Sequence, residues 1–379
     1  MDRQRSSGPA GHSPDSEPEP ASAHIPEASP RPGGNSAPPF SPAGFLPAEL
    51  AEHLQLSPPF RGTQLFEWIH HRLADSFEQM SNLSKELRAR LAEQCGRPLS
   101  SAISAEQSDP DGTVKLGIGL ADGATVESVL LTDEQGRRTA CLSSQVGCAM
   151  GCTFCRTATM GLVRNLTGGE IAEQLLHLRR RFGDIDNVVF MGMGEPLANL
   201  PAVRRAVELF THAKGPAMSH RRITLSTCGL LAGIRSLTED GPPVRLAVSL
   251  VSARPALREQ LIPITRTNPL EELKAALGEW QRAHRRRITL EYVAIGGENT
   301  SPEDADQLAR FAEGLDVLVN IIPWNPAAEL PFREPERRKL EGFMEAVRAR
   351  GLPITRRFRR GRGVNGACGQ LAAPSPRRR

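Results

Sequence analysis

At 379 residues, 39% of them hydrophobic, the chain has room for one large domain or two smaller ones and can bury a core without disulfide staples. Seven cysteines, an odd number, together with the lack of an apolar leader or an apolar run near membrane-span length, exclude a secreted disulfide framework and a membrane protein and point to the reducing cytoplasm. The net charge of +4 is uneven: Arg356 to Arg379 holds eight arginines and no acidic residue, a pattern that suits phosphate contacts or, equally, a solvated tail.

Residues 1–45 are dense in Pro, Ser, Gly and Ala and nearly free of periodic apolar positions, so they bury too little surface to offset the entropy of ordering and read as a disordered extension. Residues 46–100 repeat apolar side chains at three- and four-residue spacing with Ser and Asn at cap positions, which predicts a small helical accessory domain. A short β segment follows at 101–133, where "TVKLGIGL" and "TVESVLL" read as strands joined by a Gly-bearing turn. From 134 to 355, strand-like runs at 187–193, 222–227, 244–250, 287–293 and 318–324 alternate with helical stretches at 168–181, 200–213, 271–284 and 301–313. Such alternation predicts βα units around a parallel sheet, open or curled toward a barrel, whose chemistry gathers at the carboxyl ends of the strands. A basic tail, 356–379, closes the chain.

"GCAMGCTFC" (147–155) sets Cys148, Cys152 and Cys155 in a long loop beyond the strand-like "RTACLSS" and before a helix starting near Thr167. A structural zinc site wants four ligands, usually as two close pairs, and no further Cys or His follows before His177. Three thiolates on a four-iron, four-sulfur (4Fe-4S) cluster leave one iron open, which is useful where a small molecule must bind that iron.

The Cys-x3-Cys-x2-Cys spacing with Phe154 before the last cysteine resembles that of radical S-adenosylmethionine enzymes. More specifically, "CLSSQVGCAMGCTFC" (141–155), "RNLTGGEI" (164–171), "FMGMGEPLAN" (190–199), "ITLSTCGL" (223–230), "VNIIPWNP" (319–326) and "ACGQL" (367–371) follow the order of the RlmN/Cfr family of RNA adenine methyltransferases, a resemblance spanning Leu46 to Leu371. It implies an α/β fold, a radical SAM partial (βα)6-type barrel with a small helical N-terminal accessory domain that grips RNA. It further implies two S-adenosylmethionine molecules per turnover: one methylates a cysteine, and the other yields a radical that abstracts hydrogen from the S-methyl group.

By the same resemblance, Cys148, Cys152 and Cys155 hold the cluster, Cys368 is the methyl carrier, Cys141 its transient disulfide partner and Glu127 the proton acceptor. Glu127 lies one residue further from Cys141 than the family spacing. Gly194 and Glu195 match contacts to the amino-acid end of the cofactor, Ser226 and Asn325 further polar contacts, and Ser249, Leu250 and Val251 backbone contacts, Val251 standing where the family usually has His. Two runs depart from the pattern: "RTATMGLVRN" after Cys155, and "RRGRGVNG" before Cys368, which replaces acidic residues. Cys95 and Cys228 match no catalytic position and read as structural.

The implied product is adenine methylated at carbon 2 rather than carbon 8, in ribosomal RNA and, for some members, transfer RNA, by a monomer fed electrons by a flavodoxin or ferredoxin. Two alternatives remain at this point: a radical enzyme with a non-RNA substrate, and a non-catalytic, metal-stabilised RNA-binding protein.

Overall fold

Alternating strand and helix patterns resolve into one ten-stranded sheet in the computed structural model, which describes residues 40–327, 329–357, 361 and 363–372. Three helices come first: α1 (Pro47–His53), α2 (Phe60–His70) and α3 (Lys85–Cys95), the last capped by the Ser84 hydroxyl, which accepts from the Leu87 N–H. Strands β1 (Ala102–Ser108), β2 (Val114–Gly119) and β3 (Thr125–Thr132) form an antiparallel meander. This meander continues into the main sheet, because β3 pairs antiparallel with β4 (Arg138–Cys141). Next come a hairpin of β5 (Gln145–Gly147) and β6 (Leu162–Asn165), with the helical turn α4 (Arg156–Thr159) inside it, and α5 (Gly168–Phe182).

The remaining chain alternates: β7 (Asn187–Phe190), α6 (Leu200–Thr211), β8 (Ile223–Thr227), α7 (Leu231–Asp240), β9 (Arg245–Ser249), α8 (Pro255–Leu261), α9 (Leu270–His284), β10 (Ile288–Ala294), α10 (Pro302–Ala312), β11 (Val317–Pro323), α11 (Arg337–Ala349) and β12 (Ile354–Arg356). From β4 through β7 to β12 every neighbouring pair is parallel, six strands plus the short edge strand β12, in sequence order. Leu246, Ala247 and Val248 of β9 are fully buried, the continuous apolar run expected of a parallel strand covered on both faces. Thr167 and Glu170 form a reciprocal capping box that starts α5, and Gly183 at φ +83° ends it.

Several expected strands end early on their carboxyl side. The run at 187–193 stops at Phe190, where Gly192 and Gly194 turn the chain tightly against the segment after β4: a Cβ on Gly194, whose φ is +98°, would lie 2.5 Å from the Gln145 Cβ. Those shortened ends are the rim of the site described below. The expected disordered extension at 1–45 also needs a new boundary. Residues 1–39 lie outside the described set, but 40–45 are ordered: Ala43 is fully buried, and Phe40 and Phe45 both pack on His53. Of the basic tail, Arg359, Arg360, Arg362, Arg377, Arg378 and Arg379 lie outside the described residues.

Glu173 on α5 joins the segment entering β1 to the helical layer. Its fully buried carboxylate accepts from the Ser100 N–H (2.8 Å) and hydroxyl (2.9 Å), the Ser101 N–H (2.7 Å) and hydroxyl, and the Ser41 hydroxyl. An Arg205–Glu49 ion pair of 2.7 Å ties α6 to α1. Among the described residues no helix is long and apolar enough to cross a membrane.

His70, at the end of α2, stacks on Phe66 with ring centroids 4.2 Å apart and has no partner for its buried Nε2 among the described residues. Burial, above all, lowers its pKa from 6.5 to about 3, so the folded protein keeps it neutral. Between those values the unfolded chain takes up a proton that the folded chain refuses, so stability complete above pH 6.5 is lost as the pH falls toward 3. Going from pH 7 to pH 5 should therefore cost about 2 kcal/mol. Urea midpoints at the two pH values check this, and His70→Gln should remove that component of the slope.

Candidate active site

Carboxyl ends of successive parallel strands meet around one cavity of about 160 Å³, lined by Met191 after β7, Ser226 and Thr227 of β8, Ser249 of β9, Glu291 of β10 and Ile322 of β11. That these residues share one cavity means the sheet curls. Of the expected site residues, Cys148, Cys152, Cys155, Gly194, Glu195, Ser226, Ser249, Asn325 and Cys368 all border it. Leu250 and Val251 do not. Both are buried and their backbone groups are engaged elsewhere: their N–H groups donate to the Glu291 carbonyl (3.0 and 3.4 Å), and the Val251 carbonyl accepts from Asn299 Nδ2 (2.7 Å). Val251 holds φ +60°, a costly conformation for a β-branched residue, fixed by these bonds.

The cysteine loop is anchored apart from the main core. Met150, Cys152 and Phe154 pack on a small cluster of Cys228, Val251, Leu261, Ile262, Ile295 and Trp324. Trp324 Nε1 donates to the Phe154 carbonyl (3.1 Å), the Thr153 N–H to the Leu261 carbonyl (3.0 Å) and the Cys148 N–H to the Gly161 carbonyl (2.9 Å). The hairpin and helical turn inside this loop have no periodic sequence signal long enough to read.

Among the described residues no three His, Cys, Asp or Glu side chains converge on a point that would hold a single ion. The three thiols line the same cavity, with Cys148 and Cys155 near enough to Cys152 to raise its pKa, and three thiols on one cavity are a donor set suited to an iron–sulfur cluster. Burial pushes all three up, Cys148 to about 12, and the neighbouring thiols add to the shift. Only a strongly cationic partner would ionise such a set, as metal ligation does.

In the same cavity and near Cys148 and Cys152, Glu195 is buried and its pKa is raised by burial, although it accepts from the Cys228 N–H (2.9 Å) and the Leu197 N–H (3.1 Å). Asn325 Oδ1 is buried without a partner among the described residues. A carboxylate, an unpaired amide oxygen and the hydroxyls of Ser226 and Ser249 make a donor–acceptor set fit for an amino acid's ammonium and carboxylate. The residues present therefore fit a cluster together with a cofactor carrying an amino-acid group.

Cys368 also borders a second, smaller cavity of about 50 Å³, with Cys141, Met191, Ile322, Asn325 and Arg357. Five residues line both cavities: Met191, Ile322, Asn325, Cys368 and Leu371. All seven cysteines are free thiols. Glu127 lines neither cavity, but its Oε2 accepts from the Ala372 N–H (2.8 Å) and its Oε1 pairs with Lys115 Nζ at 2.9 Å, both side chains nearly buried. Sequence reasoning missed Lys115, Arg258 and Arg357. Arg258 is fully buried and donates to the carbonyls of Leu250 (3.1 Å) and Cys228 (2.6 Å), tying the ends of β9 and β8 together; nothing in its sequence context marks it.

Substituting Gly194→Ala should lower the melting temperature and weaken S-adenosylmethionine binding, because a Cβ there meets Gln145 at positive φ; the expected cost is about 2–4 kcal/mol, read from denaturant unfolding. Lys115→Met should destabilise by about 3–5 kcal/mol near neutral pH by leaving the Glu127 carboxylate buried and unpaired, with Lys115→Met/Glu127→Gln recovering most of it.

Known proteins resemble this chain along nearly its whole length. A profile described as "Radical SAM superfamily" matches residues 142–312, and one described as "Ribosomal RNA large subunit methyltransferase N-terminal domain" matches residues 49–96. The probable dual-specificity RNA methyltransferase RlmN of Treponema pallidum subsp. pallidum is 46% identical over 329 residues, 87% of this chain and 96% of that protein. The dual-specificity RNA methyltransferase RlmN of Anaeromyxobacter sp. (strain Fw109-5) is 45% identical over 325 residues, 83% of this chain and 85% of that protein. The crystal structure of a radical SAM methyltransferase from Sphaerobacter thermophilus superposes with a TM-score of 0.84 at 40% identity, covering 88% of this chain and 99% of that one.

Proposed function

The chain belongs to the RlmN/Cfr family of radical S-adenosylmethionine RNA methyltransferases, and from that membership we propose how its own residues divide the work. It is an enzyme that methylates RNA, using an iron–sulfur cluster and S-adenosylmethionine. The proposed target is an adenine at carbon 2, in ribosomal RNA and also in transfer RNA, reached by unstacking the base. The enzyme acts in the cytoplasm as a monomer, spends two S-adenosylmethionine molecules per turnover and draws electrons from a flavodoxin or ferredoxin.

Bound cluster and cofactor supply the one-electron chemistry that removes a hydrogen atom from a methyl group, which polar methyl transfer cannot use on an unreactive ring carbon. Cys148, Cys152 and Cys155 hold the cluster. Glu195 pairs with the cofactor's ammonium, Asn325 Oδ1 accepts from it, and Gly194, Ser226 and Ser249 contact its remaining polar groups, while the apolar wall of Met150, Phe154 and Trp324 keeps water out. Leu250 and Val251 act indirectly, by fixing the end of β9. Cys368 carries the methyl group to the base. Glu127, whose carboxyl pairs with Lys115 Nζ at 2.9 Å, takes the proton that the ring carbon loses. Cys141 then bonds to the Cys368 sulfur as the sulfur–carbon bond breaks; the electron pair passes to the methylene, which becomes methyl on taking up a proton.

The observation that carries this reading is the position of Cys368, which borders both the cavity of the three clustered thiols and the cavity of Cys141. A carrier must reach the place where its methyl is activated and also the thiol that releases it. No other cysteine lines both cavities among the described residues.

Mass spectrometry of RNA nucleosides from cells with and without the gene should show loss of one methyladenosine, whose fragmentation gives the ring position. Cys368→Ala should abolish the product. Cys141→Ala should leave the protein covalently attached to RNA, visible as an RNase-sensitive band of reduced mobility. Methylation surviving in Cys368→Ala would falsify the carrier role, and unchanged nucleosides would favour a non-RNA substrate.

A further inference from the structure

β12 ends at Arg356, and Arg357 directly follows it; the two side chains face different ways, as successive residues of an extended chain do. Arg356 is exposed, whereas Arg357 lines the small cavity between Cys141 and Cys368. The Arg357 N–H donates to the Ile321 carbonyl (3.0 Å), which fixes the backbone beside β11. Its guanidinium has one hydrogen-bond partner among the described residues, the Met191 thioether at 3.5 Å from Nη1. A thioether is a weak acceptor. Most of this guanidinium's donors are therefore uncommitted among the described residues, inside a cavity whose other walls are largely Leu131, Met191, Ile322 and Leu371.

We propose that Arg357 is a positioning residue for the thiol pair: its guanidinium stabilises the negative charge on Cys141 as that sulfur attacks Cys368. The proposal rests on the Cys141–Cys368 pairing given above. The thiolate, not the thiol, is the nucleophile in disulfide formation, and Cys141 lies in a poor place to become one. It is 5% exposed, and burial followed by the proximity of Cys368 pushes it up to about 12, while Arg357 is the nearby cation that draws it back down. The other charged group facing Arg357 is Glu291 of β10, whose pKa burial raises and whose carboxyl accepts from the Asn320 Nδ2–H at 2.7 Å. A charge in an apolar cavity acts more strongly than one in water. Arginine suits the task better than lysine because it stays protonated when buried and offers a planar fork to two sulfurs.

The test uses cluster-loaded protein, purified without oxygen, with Cys368 shown to be unmethylated by mass spectrometry of its peptide. Oxidised glutathione is added without RNA. The half-buried Cys368 sulfur attacks glutathione disulfide, expels one glutathione thiolate and forms a mixed disulfide. Cys141 then attacks the Cys368 sulfur and expels the second glutathione thiolate, so two protein thiols are oxidised and one glutathione disulfide is reduced to two glutathiones. Here glutathione leaves where the methylated base leaves in turnover.

Arg357→Met should slow this second step about tenfold near neutral pH and displace its pH–rate profile to the alkaline side by about one unit, while Arg357→Lys restores most of the rate. Should the Met variant not fold, Arg357→Gln is read in the same way. Closure by a folded neutral variant at the wild-type rate with an unmoved profile overturns the role of Arg357. Wild-type protein that never closes a Cys141–Cys368 bond overturns the pairing instead, so the two failures are distinct.

Discussion

A short arm of polypeptide, held almost entirely by backbone hydrogen bonds, decides whether the site exists as a unit. Cys368 reaches the cavities because residues 361 and 363–372 are fastened at points along their length. The Gly361 and Gly363 N–H groups donate to Asp111 (2.7 Å) and Asp109 (2.6 Å), and the Cys368, Gly369 and Leu371 carbonyls accept from Asn325 (3.3 Å), Arg156 (2.8 Å) and Thr157 (2.6 Å). The Ala372 N–H donates to Glu127. Such bonds fix the arm, yet each is exchangeable for one to water at little net cost. Little apolar surface is committed: Val364, Ala367 and Leu371 are the buried apolar residues of the arm. A carrier that must meet a cofactor, a base and a second thiol in turn needs this kind of attachment, firm in geometry and shallow in energy.

The fastening also explains the antiparallel meander. β1 and β2 contribute no residue to the main cavity, but the turn between them presents Asp109 and Asp111 to the arm, β2 presents Lys115 and β3 presents Glu127. Extending the parallel sheet by three strands thus builds a support for the carrier and a place for a carboxylate beside its end. Without the meander the parallel core would still enclose the thiol cavity, and the arm would lose its bonds to Asp109, Asp111 and Glu127 and keep those to Arg156, Thr157 and Asn325.

Electrostatics separates the two cavities. Around the clustered thiols burial and like charge oppose ionisation, and the neighbouring Glu195 adds to that. In the smaller cavity a guanidinium faces the thiols. One chamber thus calls for a cation from outside the chain, while the other carries its own. Asn325 borders both, its amide nitrogen on the Cys368 carbonyl and its oxygen without a partner among the described residues, so it couples the position of the arm to whatever occupies the cofactor side.

The sequence by itself determined the alternation of strands and helices, the parallel sheet and the chemistry-bearing cysteines, because strand and helix periodicities and close ligand spacings are local properties of the chain. The βα alternation, a helix starting near Thr167 and the Cys148, Cys152 and Cys155 triplet could be read directly. Tertiary structure alone decided which residues share a chamber. Cys141 and Cys368 lie far apart in the chain, Arg357 sits in an arginine-rich run that reads as a solvated tail, and Lys115 finds Glu127 only through β-strand register. It also decided that Leu250 and Val251 turn away from the cavity, since their backbone groups are taken by Glu291 and Asn299. Register, curl and the path of the arm are set by long-range packing, and that has no local signature for a motif to record.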